Sequence, residues 1–109
     1  MTSLDPDKIY THIMEAAKEW VSDDEEARRL RKLDKVILAE ITNQQDQALS
    51  HAVRSSLAIG SPQYRLHVTN MVAAQTKANM SRARYDAARS LAELRRSQES
   101  TRRAEAQIR

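Results

Sequence analysis

The sequence predicts an all-α protein: an antiparallel helical hairpin with a long C-terminal helix and a short N-terminal helix, packed in a coiled-coil-like manner. The chain has one Gly, two Pro and no Phe, and no Gly or Pro follows Pro62. Such a composition favours helices over sheet, and the apolar residues recur at helical spacing. We expect one helical domain over residues 1–109, with helices at about 6–21, 23–59 and 62–107.

The first helix should begin at Asp5-Pro6. Asp accepts hydrogen bonds from early backbone amides, and Pro at the first helical position loses no useful donor. Trp20 is expected to anchor this helix in the bundle rather than to form an exposed binding site. The residues that follow helical spacing are Ile9, Ile13, Ala16, Ala17 and Trp20, with Tyr10, Met14 and Val21 beside them.

The second helix should begin at Ser22, which forms a capping-box pattern with Glu25. The acidic run Asp23–Glu26 could bind a metal or a basic partner, but acids at a helix start are the favoured interpretation. Polar residues 43–47 predict either a looser, bent segment or a polar layer that sets register. The apolar face comprises Ala27, Leu30, Leu33, Ile37, Ile41, Ala48 and Ala52.

Gly60-Ser61-Pro62 predicts the turn into the third helix. Gly suits a left-handed position after a helix, Ser caps the next helix and Pro takes its first position. Because the connection is short, the second and third helices should be antiparallel neighbours. Counting back from this turn places Asp23 opposite roughly residue 99.

Two apolar rows with seven-residue spacing run along the third helix. One contains Tyr64, Met71, Ala78, Tyr85 and Ala92, and the other contains Leu66, Ala73, Met80, Ala87, Leu94 and Ile108. A two-residue offset places the rows on nearly opposite faces, so this helix should have two neighbours. Alternatively, one row is core and the other a scatter of small residues on a solvated face. We expect a homodimer or higher oligomer, with Leu49, Val53, Leu57, Leu66, Met71, Met80 and Leu94 as interaction residues.

The C-terminal half is basic. Residues 1–60 carry eight Lys/Arg and eleven Asp/Glu, a net charge of −3, whereas residues 61–109 carry ten and four, a net charge of +6. Arginines recur every seven residues, and the candidates to bind phosphate or an acidic partner are Arg82, Arg89, Arg95, Arg96, Arg102 and Arg103. The competing interpretation is surface ion pairing at i,i+4 spacing, with pairs Arg82–Asp86, Arg89–Glu93, Arg95–Glu99, Glu99–Arg103 and Glu105–Arg109.

The sequence contains no pattern typical of a catalytic, metal or cofactor site. It has no Gly-rich phosphate loop, nucleophile elbow or HExxH spacing, and no Cys. We therefore expect no enzymatic activity, no metal and no cofactor. Without a long apolar run or a signal sequence, we expect no membrane association and a cytoplasmic location.

Several short strings resemble one group of proteins. They are Ser61-Pro62, Tyr64-Arg65, His67-Val68, Met71-Val72, Ala78-Asn79, Arg84-Tyr85-Asp86-Ala87, Leu94-Arg95-Arg96 and residues 99–105. The pattern is similar to small helical proteins encoded by proteobacterial phages and prophages near recombination genes. This resemblance implies a phage accessory protein in the bacterial host cell, acting with a recombination enzyme or on a host nuclease or defence complex.

The leading functional hypothesis is a non-enzymatic helical interaction protein that oligomerises and binds a protein partner. The principal alternative is a sequence-nonspecific nucleic-acid-binding accessory protein that uses the Arg rows. A third possibility is a structural component of a virion.

Overall fold

The computed structural model describes residues 5–108, which form three α-helices and no strand. Helix α1 spans Pro6–Asn43, α2 spans His51–Ile59 and α3 spans Pro62–Ile108. The two long helices pack against each other as a hairpin, and α2 is the short helix between them in the chain. The predicted all-α helical hairpin with a long C-terminal helix is therefore confirmed.

The expected break between a helix at 6–21 and a helix at 23–59 is not at residue 22, because α1 continues through it. The inward-facing positions of α1 recur at alternating spacings of three and four residues and continue across residue 22. These positions are Ile9, Ile13, Ala16, Trp20, Asp23, Ala27, Leu30, Asp34, Ile37 and Ile41. Burying this continuous row outweighs a local cap, and Ser22 and Glu25 lie exposed on the helix surface.

The chain leaves the helix instead at residues 44–50, inside the predicted second helix. Side-chain amides there bond to backbone carbonyls: Gln45 Nε2 donates to Ile41 O at 3.1 Å, and Gln47 Nε2 donates to Asn43 O at 2.9 Å. Such bonds compete with helix continuation. Ser50 then caps α2, since its Oγ accepts from the amide of Val53 at 3.3 Å. The polar patch at 43–47 is thus where the helix ends.

The turn into α3 differs from expectation at one residue. Gly60 has φ −83° and ψ −2°, in the right-handed region, so the predicted left-handed glycine is wrong. A right-handed residue suffices because the amide of Gly60 donates to Ser56 O at 3.2 Å and the amide of Ser61 donates to Ala58 O at 3.1 Å. Ser61 caps α3 as predicted, accepting from the amide of Tyr64 at 3.2 Å.

The register along α3 also differs from expectation. Asp23 Oδ1 lies 3.6 Å from Lys77 Nζ, not opposite residue 99. Residues 44–59 form a loop and a short helix rather than extending the helix that faces α3, so the antiparallel partner of Asp23 is nearer the turn.

The helices contribute to two compact units. The terminal unit contains residues up to Val21 and from Asn79 onward, and the central unit is Ser22–Ala78. The buried residues of the terminal unit are Ile9, Ala16, Ser81 and Ala88, and those of the central unit include Ala27, Ile41, Ala58, His67 and Ala78. Most of these side chains are small, which allows close helix approach but contributes little apolar burial per residue.

Candidate interaction surface

The two apolar rows predicted on α3 have different environments. Positions in the row from Tyr64 to Ala92 are buried or half-buried. The row from Leu66 to Ile108 is exposed, with Leu66 at 62%, Met80 at 57% and Leu94 at 56%. Apolar side chains of this size on a helix surface are candidates for contact with another molecule.

The seven predicted interaction residues divide in the same way. Val53, Leu57, Leu66, Met80 and Leu94 are exposed, whereas Leu49 and Met71 are half-buried. Met71 lies in the inward row of α3. Their contribution to association stays a prediction.

A second exposed strip lies on α1 in the terminal unit. Tyr10, Met14 and Val21 are exposed, Tyr10 at 67%, and Ala17 lies between them. The sequence pattern places Ala17 on the packed face of the helix and Tyr10, Met14 and Val21 beside that face. Their spacing of four, three and four residues is itself a coiled-coil pattern and could have identified a second surface. We call Tyr10, Met14, Ala17 and Val21 the α1 strip.

Trp20 anchors the terminal unit, as predicted. Its ring stacks on Tyr85 with centroids 5.4 Å apart and an interplanar angle of 23°. The guanidinium carbon of Arg82 lies 5.6 Å from the centroid of the Trp20 ring, and that of Arg89 lies 5.8 Å from the centroid of Tyr85. Two of the predicted phosphate-binding arginines therefore lie over aromatic rings.

Few of the predicted surface ion pairs form within residues 5–108, and the predicted pair Glu105–Arg109 lies outside the described residues. Among those whose residues are all described, the structure contains Arg95–Glu99, with Nε and Oε1 3.6 Å apart. Arg82 and Arg89 do not pair with the predicted carboxylates in the described chain, and instead Arg84 binds Glu19 of α1 at 2.5 Å. Mutual neutralisation along α3 is thus weaker than the i,i+4 spacing indicated.

A groove of about 260 Å³ lies between α1 and α3 in the terminal unit. Tyr10 and Arg96 lie on its lining, and Arg95 faces inward with its Nε buried and without a hydrogen-bond partner. Arg82, Arg89, Arg96, Arg102 and Arg103 are exposed. We call Arg82, Arg89 and Arg96, which are seven residues apart, the arginine row.

In the central unit, Asp34 joins two aromatic side chains of α3. Tyr64 Oη donates to Asp34 Oδ1 at 3.0 Å, and Nε2 of the buried His67 lies 3.3 Å from the same oxygen. The hydrogen bond to the carboxylate, followed by burial and the negative charge, raises the pKa of Tyr64. This cluster fixes the register of α1 against α3.

The acidic run of α1 is occupied by ion pairs with neighbouring cations. Asp23 meets Lys77, Asp24 binds Arg28 at 2.9 Å and Glu26 binds Arg29 at 2.7 Å. The hydrogen bond from Arg29 is the largest cause that lowers the pKa of Glu26. Across residues 5–108, no three His, Asp or Glu side chains are grouped to hold a metal ion.

Models of protein families, curated proteins and solved structures give no match to this chain. In the described part of the chain, no helix is long and apolar enough to cross a bilayer.

Proposed function

We propose that this chain is a non-enzymatic helical interaction protein that associates with itself and binds an acidic, amphipathic helix of a partner protein. The partner helix would occupy the α1 strip and the arginine row. The carrying observation is that one residue of each feature, Tyr10 of the α1 strip and Arg96 of the arginine row, lines the same groove. The resemblance to phage-encoded proteins suggests a recombination enzyme or a host nuclease or defence complex as the partner class.

The spacing within the surface supports a helical partner. The α1 strip repeats at four, three and four residues, the pattern by which one helix accepts the side chains of another. Members of the arginine row lie seven residues apart, or about 10.5 Å along the helix axis. Carboxylates at every seventh position of a partner helix would match that spacing. Arg can hold each carboxylate with two hydrogen bonds.

Direct binding of nucleic acid is the second candidate function. It is supported by Arg82 and Arg89, which do not pair with Asp86 and Glu93 in the described chain. Nucleic acid would, however, leave the apolar α1 strip uncovered. An acidic protein helix uses both features, so we favour it.

The test uses a synthetic helical peptide with Leu at its core-facing positions and Glu at every seventh position. We expect binding with a dissociation constant of tens of micromolar, a free energy of about −6 kcal/mol. Arg89→Glu and Tyr10→Ser should each weaken binding at least about tenfold, equivalent to about 1.4 kcal/mol. Arg65→Glu, at an exposed Arg of the central unit, is the matched control and should bind normally.

A duplex DNA and a single strand of similar charge are titrated in parallel over a salt series. If Arg89→Glu abolishes DNA binding while Tyr10→Ser leaves it intact, the nucleic-acid function is identified. That result would contradict the proposed binding of a partner protein. Absence of peptide binding at about 100 µM would also contradict the proposal, since the expected affinity is stronger.

A further inference from the structure

The exposed face of α3 carries a second coiled-coil pattern beyond the predicted apolar row. Nine positions of the terminal unit recur at alternating spacings of three and four residues. They are Met80, Ala83, Ala87, Ser90, Leu94, Ser97, Thr101, Ala104 and Ile108, and all are exposed. None is charged, although eleven of the 29 residues from 80 to 108 carry a charge. We call these nine residues the outer row.

The outer row has the same periodicity as the buried row of α3 but contains no charged residue. The buried row of the same helix includes Arg95 and Glu99. A charge-free row of this length is unusual on a solvated helix face, where polar and charged residues normally predominate. It is the composition of a helix face that packs against another helix.

Side-chain size indicates that the outer row fits a second copy of itself in the antiparallel direction. Its residues form two sets, and in one set every seventh residue is small: Ala83, Ser90, Ser97 and Ala104. The other set contains the large residues Met80, Leu94 and Ile108, together with Ala87 and Thr101. In an antiparallel pair of coiled-coil helices, each layer joins one residue from each set, so large side chains meet small ones. A parallel pair would place large against large in one layer and small against small in the next.

Charge selects one antiparallel register. When Ala87 lies opposite Ala104 of the second copy, Leu94 lies opposite Ser97. At the edges, Arg84 then faces Glu105 of the other copy, and no two carboxylates are paired. Sliding the helices by one heptad toward the turn brings Glu93 opposite Glu93 of the other copy, which is destabilising.

The packing of α1 on α3 follows the same geometric rule. Core positions alternate at three and four residues on both helices, and Arg84, which flanks the core on α3, binds Glu19, which flanks it on α1. The inferred pairing of Arg84 with Glu105 uses the equivalent flanking positions of the outer row. Arg84 is held at this edge by Glu19 in the free chain, so little side-chain entropy is lost on pairing.

We propose that a second copy of this chain covers the outer row, with the two α3 helices antiparallel and Ala87 opposite Ala104. This proposal specifies the self-association within the proposed function and rests on it. The α1 strip is not part of this interface, so partner binding and dimerisation are separable.

The first test is the mass in solution, by light scattering after size exclusion over a range of concentrations. We expect a dimer for the full chain and a monomer for Leu94→Glu. The matched control is Val36→Glu, at a Val of the central unit that is 51% exposed, which should remain a dimer. Far-ultraviolet circular dichroism checks that both variants keep their helicity. A monomeric full chain at about 100 µM, or a dimer of Leu94→Glu, would overturn the proposal.

The second test measures direction and register. The chain contains no Cys, so introduced cysteines report their own contacts. Mixed Ala87→Cys and Ala104→Cys chains should form a disulfide-linked dimer on mild oxidation, because these positions face each other. Ala104→Cys alone should not, since its two copies would be about 25 Å apart along the helices. Efficient linking of Ala104→Cys to itself would show a parallel pair and refute the proposal.

Binding of the acidic peptide is measured on the same variants. If Leu94→Glu is monomeric and still binds the peptide, dimerisation and partner binding are shown to use separate surfaces. If the full chain binds the peptide but is monomeric, this dimer is refuted while the proposed partner binding stands.

Discussion

The stacking of Trp20 on Tyr85 should couple the two residues measurably. Trp20→Leu and Tyr85→Leu are made singly and together. Each single substitution should lower the free energy of unfolding by about 1–3 kcal/mol, because both side chains are only half-buried. Ring centroids 5.4 Å apart at 23° fall in the offset-stacked range, for which the coupling energy is about 0.5–1.5 kcal/mol beyond area burial. The double variant should therefore be less destabilised than the sum of the singles by that amount.

Urea unfolding followed by circular dichroism gives the four free energies. Fluorescence of Trp20, the single Trp, should also shift in Tyr85→Leu as one face of the indole becomes exposed. The control pairs Trp20→Leu with Tyr10→Leu, ten residues or about 15 Å away along α1, and these effects should add within about 0.5 kcal/mol. A Trp20–Tyr85 coupling no larger than that of the control would refute the stacking argument.

Four further changes test other parts of the fold, each by urea unfolding. Ala27→Leu, at a position 1% exposed, should destabilise the chain by about 1–3 kcal/mol because the close helix contact has no room for a larger side chain. Ser50→Ala should cost about 1 kcal/mol by removing the α2 cap. Gly60→Ala should be neutral or stabilising by up to about 1 kcal/mol, since the backbone is right-handed and an added Cβ would meet nothing nearer than 3.6 Å. The bond to Asp34 raises the pKa of Tyr64 above 10.0, so its stabilisation is fully present below pH 10 and is lost as pH rises through the raised pKa. Tyr64→Phe should lose about 1 kcal/mol at neutral pH and show a smaller further loss at high pH.

The sequence was sufficient to predict the helical class and the extent of α3, but not the position of the main break. Ser22 and Glu25 form a good capping pattern, yet the same residues are acceptable within a helix. The continuous inward row of α1 decides between a helix that starts at Ser22 and a helix that continues through it. That row can be recognised only when Asp23 is counted as a core position. Its pairing with Lys77 makes that burial acceptable, and a tertiary contact of this kind has no local signal.

The candidate surface was predicted in part. Seven-residue spacing identified the apolar row containing Met80 and Leu94, and the structure leaves that row exposed. The α1 strip was missed because Tyr10 and Met14 are typical core residues whose outward direction depends on which face meets α3. Ion pairing of the arginines was overestimated, since spacing shows which side chains can reach each other but not that aromatic rings compete for Arg82 and Arg89.

The small residues at the helix contact have a consequence for how this chain can diverge. At Ala16, Ala27, Ala78 and Ala88, side chains are already close to the minimum size, so most substitutions can only enlarge them. Outward positions carry no such restriction. Related chains should therefore keep small residues at these spacings while their other positions change. Homology would then be recognisable from the spacing of the small residues even where overall sequence identity is low.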